Sequence, residues 1–202
     1  MLKRAAAAGA VATVPPQVLA QAASAELYVK LTAAEAATLE AFVARLIPSD
    51  ASGPGALEAG AARYIDRALG DALASSREAY VAGLAALDSY AERTAGQTFA
   101  KLAPDIQDAL LGELERNRVA GFTPDSLTFF NLVLGHTLEG TFGDPHYGGN
   151  RDFIGWELLG YPGIRLAVGA EEQRMEAPLE PIHVSAYDLS MFAADSGSHD
   201  DH

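Results

Sequence analysis

His136 and Glu139 stand three residues apart, a spacing that on a helix puts an imidazole and a carboxylate on one face, and Asp144 and His146 follow soon after. Such a cluster could hold a divalent metal, as paired carboxylate-imidazole helices do in di-iron bundles. Those bundles use a second motif of the same kind, and this chain offers none. The structural alternative, preferred on that ground, is that His136 and Glu139 satisfy backbone amides of the glycine-rich loop that follows them. His199 and His202 flank two aspartates in a polar tail, where the entropy of ordering opposes a specific metal site. There is no serine elbow, no zinc-binding helix pair and no P-loop, and Gly148-Gly149 is not a dinucleotide fingerprint because no strand precedes it. With no cysteine, disulfides and thiolate chemistry are excluded. An enzyme active by itself is therefore not visible.

The stretch from Phe142 to Gly163 is the most distinctive in the chain. It gathers Gly148, Gly149, Gly155, Gly160 and Gly163, two prolines, Asn150 and the only Trp, and no helical or strand period explains the mixture. Asp144-Pro145 starts a turn, because the proline ring pushes the residue before it out of the helical region. Gly148-Gly149 supply positive φ or close backbone approach, and Asn150 can accept from the first free amides of a short helix over Arg151 to Leu159. Gly160 ends that helix, and Tyr161-Pro162-Gly163 turns the chain again. Trp156, with Phe142, Tyr147, Phe153 and Tyr161 nearby, suits either core packing or an aromatic anchor in an interface.

Helices must position this loop. Thr32-Ala-Ala-Glu35 is a capping box for a first helix carrying Leu39, Phe42, Val43, Leu46 and Ile47, stopped by Pro48. Residues 49–55 are turn chemistry around Asp50, and a second helix runs from about Ala56 to Leu69. Ser76 caps a third helix to about Arg93, with Tyr80, Leu84, Leu87 and Tyr90 inward. Pro104 opens a fourth, with Ile106, Leu110, Leu111 and Leu114 inward and Glu113, Glu115, Arg116 and Arg118 solvated. Thr123 caps and Pro124 opens a fifth, carrying Leu127, Phe130, Leu134 and Leu138. Its Phe129 to Leu134 segment is apolar nearly all round, which makes it the central helix. After Gly163 the period is lost. Residues 166–202 read as an extended arm and polar tail, anchored through Ile182, Val184, Tyr187, Leu189 and Phe192, and an ordered arm requires a surface to lie on, its own or a partner's. The expected fold is all-α: an irregular bundle of about five to six helices over residues 30–165 with a glycine-rich loop and an extended C-terminal arm.

A chain of 202 residues, 49% of them hydrophobic, suffices for one domain with a full core. The formal charge of −13 argues against nucleic acid or an anionic membrane as partner. Residues 1–22 read as an export signal: Lys3-Arg4, an alanine-rich apolar run too short to span a bilayer, and Ala20-Gln21-Ala22 as a cleavage site. Met1-Leu2-Lys3 is similar to the end of the twin-arginine consensus, which would put the arginine pair upstream of Met1. Cleavage after Ala22 removes Lys3 and Arg4 and no acid, leaving a formal charge of about −15.

Taken together, Phe129-Phe130, Glu139-Gly140, Asp144-Pro145-x-Tyr147-Gly148-Gly149-Asn150-Arg151-Asp152, Gly155-Trp156 and Gly160-x-Pro162-Gly163 resemble the signature of the gluconate 2-dehydrogenase subunit 3 family. Ile47-Pro48-x-Asp50, Gly55-Ala56 and Tyr64-Ile65-Asp66 fit the first half of the same family, so the resemblance covers about residues 32–163. It implies a cofactor-free, non-catalytic small subunit of a periplasmic dehydrogenase complex, exported with its partner by the twin-arginine route. The implied partner is an FAD-dependent flavoprotein of the glucose-methanol-choline type, with a cytochrome c carrying haem as a third subunit in many such complexes. The small subunit's implied role is assembly, export and stability of the flavoprotein. The residues expected to build the loop or touch the partner are Asp144, Pro145, Tyr147, Gly148, Gly149, Asn150, Arg151, Trp156, Pro162 and Gly163. His146 departs from the family's pattern, which more often has an apolar residue there.

Overall fold

The computed structural model describes residues 28–175 and 179–191. The export-signal reading of residues 1–22, the anchor Phe192 and the tail with His199 and His202 lie outside the described residues. Within them the chain is all-helical: α1 (Ala33–Leu46), α2 (Ala61–Ala68), α3 (Arg77–Ala95), α4 (Pro104–Glu115), α5 (Ser126–Phe142) and α6 (Ile154–Leu159), with short 3-10 turns between. Two isolated bridges are the only β pairing among the described residues.

The five longer helices form a bundle around α5, which touches α1, α2, α3, α4 and α6. Its buried positions are Phe129, Phe130, Val133, Thr137, Gly140 and Thr141 together with Ser126. Leu127 and Leu134 are half-buried and Leu138 is 43% exposed. The expected inward stripe is thus rotated, because the two phenylalanines, each far larger than a leucine, take the inner face. Phe42 of α1 meets the rings of Phe99, Phe129 and Phe130 at centroid distances of 6.2, 6.2 and 5.9 Å. Each such ring contributes about 1.5–3 kcal/mol by burial and a fraction more through edge geometry. Gly83 of α3 makes room for this cluster, since a methyl there would overlap the Phe129 ring.

Helix starts follow side-chain chemistry. The Thr32–Glu35 capping box forms as expected, and Ile47 then leaves the helical region ahead of Pro48. Residues 56–60 are turns, and α2 begins only after Gly60, whose φ of 82° no continuous helix admits. Ser76 closes a 3-10 turn, with no capping bond from its side chain. Asp125, two residues after Thr123, caps α5: its carboxylate accepts from Thr128 N at 2.8 Å, a stronger acceptor for a helix N-terminus than a hydroxyl. Ile106 is 39% exposed and Tyr90 half-buried, while Gln107, unlisted in the apolar stripe, is buried and donates to the Phe99 carbonyl. Glu113 on α4 pairs with Arg116 and Arg118 at 3.4 Å, as a solvated face would.

Asp66 on α2 is a buried carboxylate that accepts from three successive amides, Val29 N at 2.7 Å, Lys30 N at 2.9 Å and Leu31 N at 2.8 Å. It ties the segment entering α1 to α2. Asp66→Ala removes all three acceptors and is expected to cost about 2–3 kcal/mol, read from the urea midpoint with an unchanged slope.

Candidate functional site

The glycine-rich loop is built on the last turn of α5, where Gly140 leaves the backbone bare. On one side α2 closes in, so that a methyl on Gly140 would sit 2.9 Å from Ala61 Cα. On the other side the loop returns: Asn150 N donates to Gly140 O at 2.7 Å, and a methyl on Gly149 would overlap that same carbonyl. Gly155 repeats the device one residue along, its backbone lying against the Thr141 carbonyl. Arg151 N donates to Ala59 O at 2.9 Å and fastens the loop to the turn before α2.

Asn150 is fully buried and spends its whole amide on the loop: Nδ2 donates to Gly143 O at 2.8 Å and Oδ1 accepts from Gly155 N at 2.8 Å. The expectation that Asn150 would receive a free amide is met, but the helix does not run from Arg151. Asp152 and Phe153 have φ of 56° and 60°, which breaks the segment into a 3-10 turn, Arg151–Phe153, and the short α6. Left-handed backbone at a phenylalanine costs about 1–3 kcal/mol and persists only where surrounding contacts impose it. Here Trp156 does so. It is 5% exposed, its Nε1 donates to Phe142 O at 3.0 Å, and its ring packs on Phe153 and Tyr161 at 5.2 and 4.9 Å. Trp156 is therefore the small core of the loop.

The arm returns to the same place. Asp144 accepts from His146 N at 2.9 Å to close its own turn, and from Ser185 Oγ at 2.6 Å and Ala186 N at 2.9 Å across the chain. Ile182 N donates to Pro162 O at 3.1 Å beside the bridge between Gly163 and Ile182. The His146 ring stacks on Tyr187 at 3.9 Å, Tyr187 and Tyr147 share a hydroxyl hydrogen bond, and His183 stacks on Phe153 at 4.9 Å. The surface that orders the arm is thus the chain's own loop. Partial burial pushes the Asp144 carboxyl up, but the hydrogen bonds from Ser185, His146 N and Ala186 N outweigh it and hold the group below its ordinary value.

His136 and Glu139 do not serve the loop's amides, which find backbone carbonyls and Asn150 instead. His136 Nδ1 lies 3.0 Å from the hydroxyl of buried Tyr80, on which its ring stacks at 5.8 Å. Burial lowers the His136 pKa and raises that of Tyr80, so a neutral ring accepting the phenol proton fits both. Glu139 accepts from Tyr64 at 2.9 Å, and burial with that bond pushes the Tyr64 phenol up to about 12. Among the described residues no group of three or more His, Asp or Glu side chains is placed to hold a metal ion. The set of His136, Glu139, Asp144 and His146 is accordingly divided: two brace the bundle and two brace the arm.

Of the loop residues named from sequence, Asp144, Gly149, Asn150 and Trp156 are structural, Gly148 (φ 93°) turns the chain left-handed, and Tyr147 and Arg151 are exposed. Sequence reasoning missed Ser185 and Ala186 as partners of Asp144. The signal was present, since Ser185-Ala-Tyr-Asp188 has capping-box spacing and forms that box here.

The chain is thus an all-α protein whose polar loop side chains are hydrogen-bonded within a surface built on close glycine approaches. The chain belongs to the gluconate 2-dehydrogenase subunit 3 family, whose sequence model matches residues 33–163. The family's name is that of a subunit of a dehydrogenase complex, which gives the chain a dehydrogenase as partner. No curated protein and no solved structure matches the chain. No described helix is long and apolar enough to cross a membrane.

Asn150→Ala leaves the Gly155 amide and the Gly143 carbonyl unpaired in a dry site, and thermal unfolding should register a loss of about 2–3 kcal/mol. The depressed Asp144 carboxyl contributes stability that is fully present above its ordinary value of 3.8 and is lost as pH falls through the lower folded value. Protease cleavage within residues 179–191 should therefore rise in that acid range, and Asp144→Asn should show raised cleavage already at neutral pH.

Proposed function

We propose that this chain is a non-catalytic small subunit that docks on an FAD-dependent dehydrogenase of the glucose-methanol-choline type and supports its assembly, export and stability. The flavin belongs to the partner, as does any choice of sugar or alcohol, and a cytochrome c with haem is a further subunit in this reading. The route is the twin-arginine pathway and the site of action the periplasm, on the strength of the signal-like residues 1–22.

The observation that carries the proposal is how the loop's reactive groups are used. Asp144, Asn150, His136 and Glu139 are each committed to a bond that fixes backbone or core, and the exposed rim of the loop includes Tyr147, Arg151, Leu159 and Tyr161. A surface already rigid loses little conformational entropy on association, which favours docking over chemistry.

Co-expression of the full chain with the flavoprotein of the adjacent reading frame tests this. The two should co-purify with flavin in the large subunit, and the flavoprotein made without this chain should be poorly exported or unstable. A chain that folds alone and leaves the flavoprotein unbound and equally well exported would refute it.

A further inference from the structure

Resting on that reading, we infer that the docking face is an arginine-tyrosine strip formed by α2 and the glycine loop, and that it receives a carboxylate-rich surface of the partner protein. Arg63 and Arg67 are one helical turn apart on α2, both exposed, and Arg151 emerges from the loop beside them. Arg63 and Arg151 line an open groove of roughly 370 Å3 with Gly148 and Gly149 as its floor. Arg67 lines the adjoining groove of roughly 330 Å3 together with Tyr64, His146 and Tyr147. The two grooves meet at Gly148, where a methyl would sit 3.1 Å from Arg67 Nη1, so the guanidinium lies across bare backbone.

These guanidiniums are not spent within the fold. Elsewhere Arg45 pairs with Asp108, Arg165 with Glu172, Arg174 with Glu171, and Arg116 and Arg118 with Glu113. Arg63 and Arg67 take part in none of the ion pairs among the described residues, and Arg151 has only Asp152 at 3.8 Å, a contact 85% exposed on the acid's side. The acids nearby keep their charge but are hydrogen-bonded inside the fold: Asp66 to three amides, Glu139 to Tyr64, Asp144 to the arm and Glu58 to the Gly55 amide, with Arg151 close enough to favour the Glu58 carboxylate. Asp71 and Asp152 also line the grooves, Asp152 beside Arg151. On a chain of net charge −13 these three arginines are the local cations that carboxylates of an acidic partner surface can pair with.

A protein surface fits better than a small anion. The three cations are spread over two open grooves and do not converge on one point. They are flanked by Tyr147, 52% exposed, and Tyr187, 41% exposed, whose rings offer contact area at small entropic cost. Arginine and tyrosine are also the residues that carry binding energy at interface centres.

The test uses the full chain and the flavoprotein of the adjacent reading frame, with binding measured across a salt series. Arg63→Glu with Arg67→Glu should weaken association roughly tenfold or more, mainly through a slower on-rate and a flatter salt dependence. Arg116→Glu with Arg118→Glu, at the far end of α4, should leave it within about twofold. Circular dichroism confirms the fold, and Arg63→Gln with Arg67→Gln replaces the reversal should it misfold. A correctly folded variant that binds like the wild type overturns the docking face and leaves the subunit reading intact. A wild-type chain that binds no flavoprotein overturns both. Binding of phosphatidylglycerol vesicles, lost on charge reversal while flavoprotein binding is unchanged, would assign the strip to a membrane and overturn the proposal too.

Discussion

The structure depends on one bare stretch of backbone, the last turn of α5 at Gly140 and Thr141. The segments can share it only because Gly140, Gly149 and Gly155 bring no side chain: α2 crosses at Ala61 and Tyr64, and the loop returns through Gly149 and Gly155. Close approach of this kind turns the orphan carbonyls at a helix C-terminus into acceptors for a neighbouring segment, and Gly140 O receives Asn150 N. Helix, loop and arm are therefore stacked in order of dependence. The bundle positions Gly140, Gly140 positions Asn150, and Asp144 then captures the arm through Ser185 and Ala186.

This arrangement explains how the groups of the candidate cluster are used within the fold. His136 and Glu139 share a helix face with each other, as their spacing requires, but that face meets two tyrosines. Tyr80 is fully buried and its phenol must find an acceptor, and a neutral imidazole is the group within reach. Asp144 is the better acid for binding a ligand, yet its two oxygens already accept from three donors.

Much of this was legible in the sequence, and the limits have physical causes. Local chemistry was readable: Thr32 with Glu35, Pro104 at a helix start, Asp144-Pro145 as a turn and Gly160 as a stop all behave as their side chains dictate. Helix faces were less so, because the apolar run of α5 has no weak side and the rings that meet Phe129, among them Phe42 and Tyr80, lie far off in the sequence. The left-handed Asp152 and Phe153 could not be read at all, since the packing of Trp156 and not residue preference imposes them. The arm's seat was hidden for the same reason: Asp144 and Ser185 are separated by 41 positions and meet only once the loop exists.

With Asn150, Asp144 and Trp156 bonded as they are, the loop should be ordered before it meets a partner. Amide hydrogen exchange of the isolated chain and of the chain mixed with the proposed flavoprotein partner measures this directly. Exchange should be slow at Asn150 and Gly155 in the free protein, with the partner adding protection at the exposed rim around Tyr147 and Arg151. Exchange at unprotected rates through residues 144–163 in the free chain, with order appearing only in the complex, would contradict it.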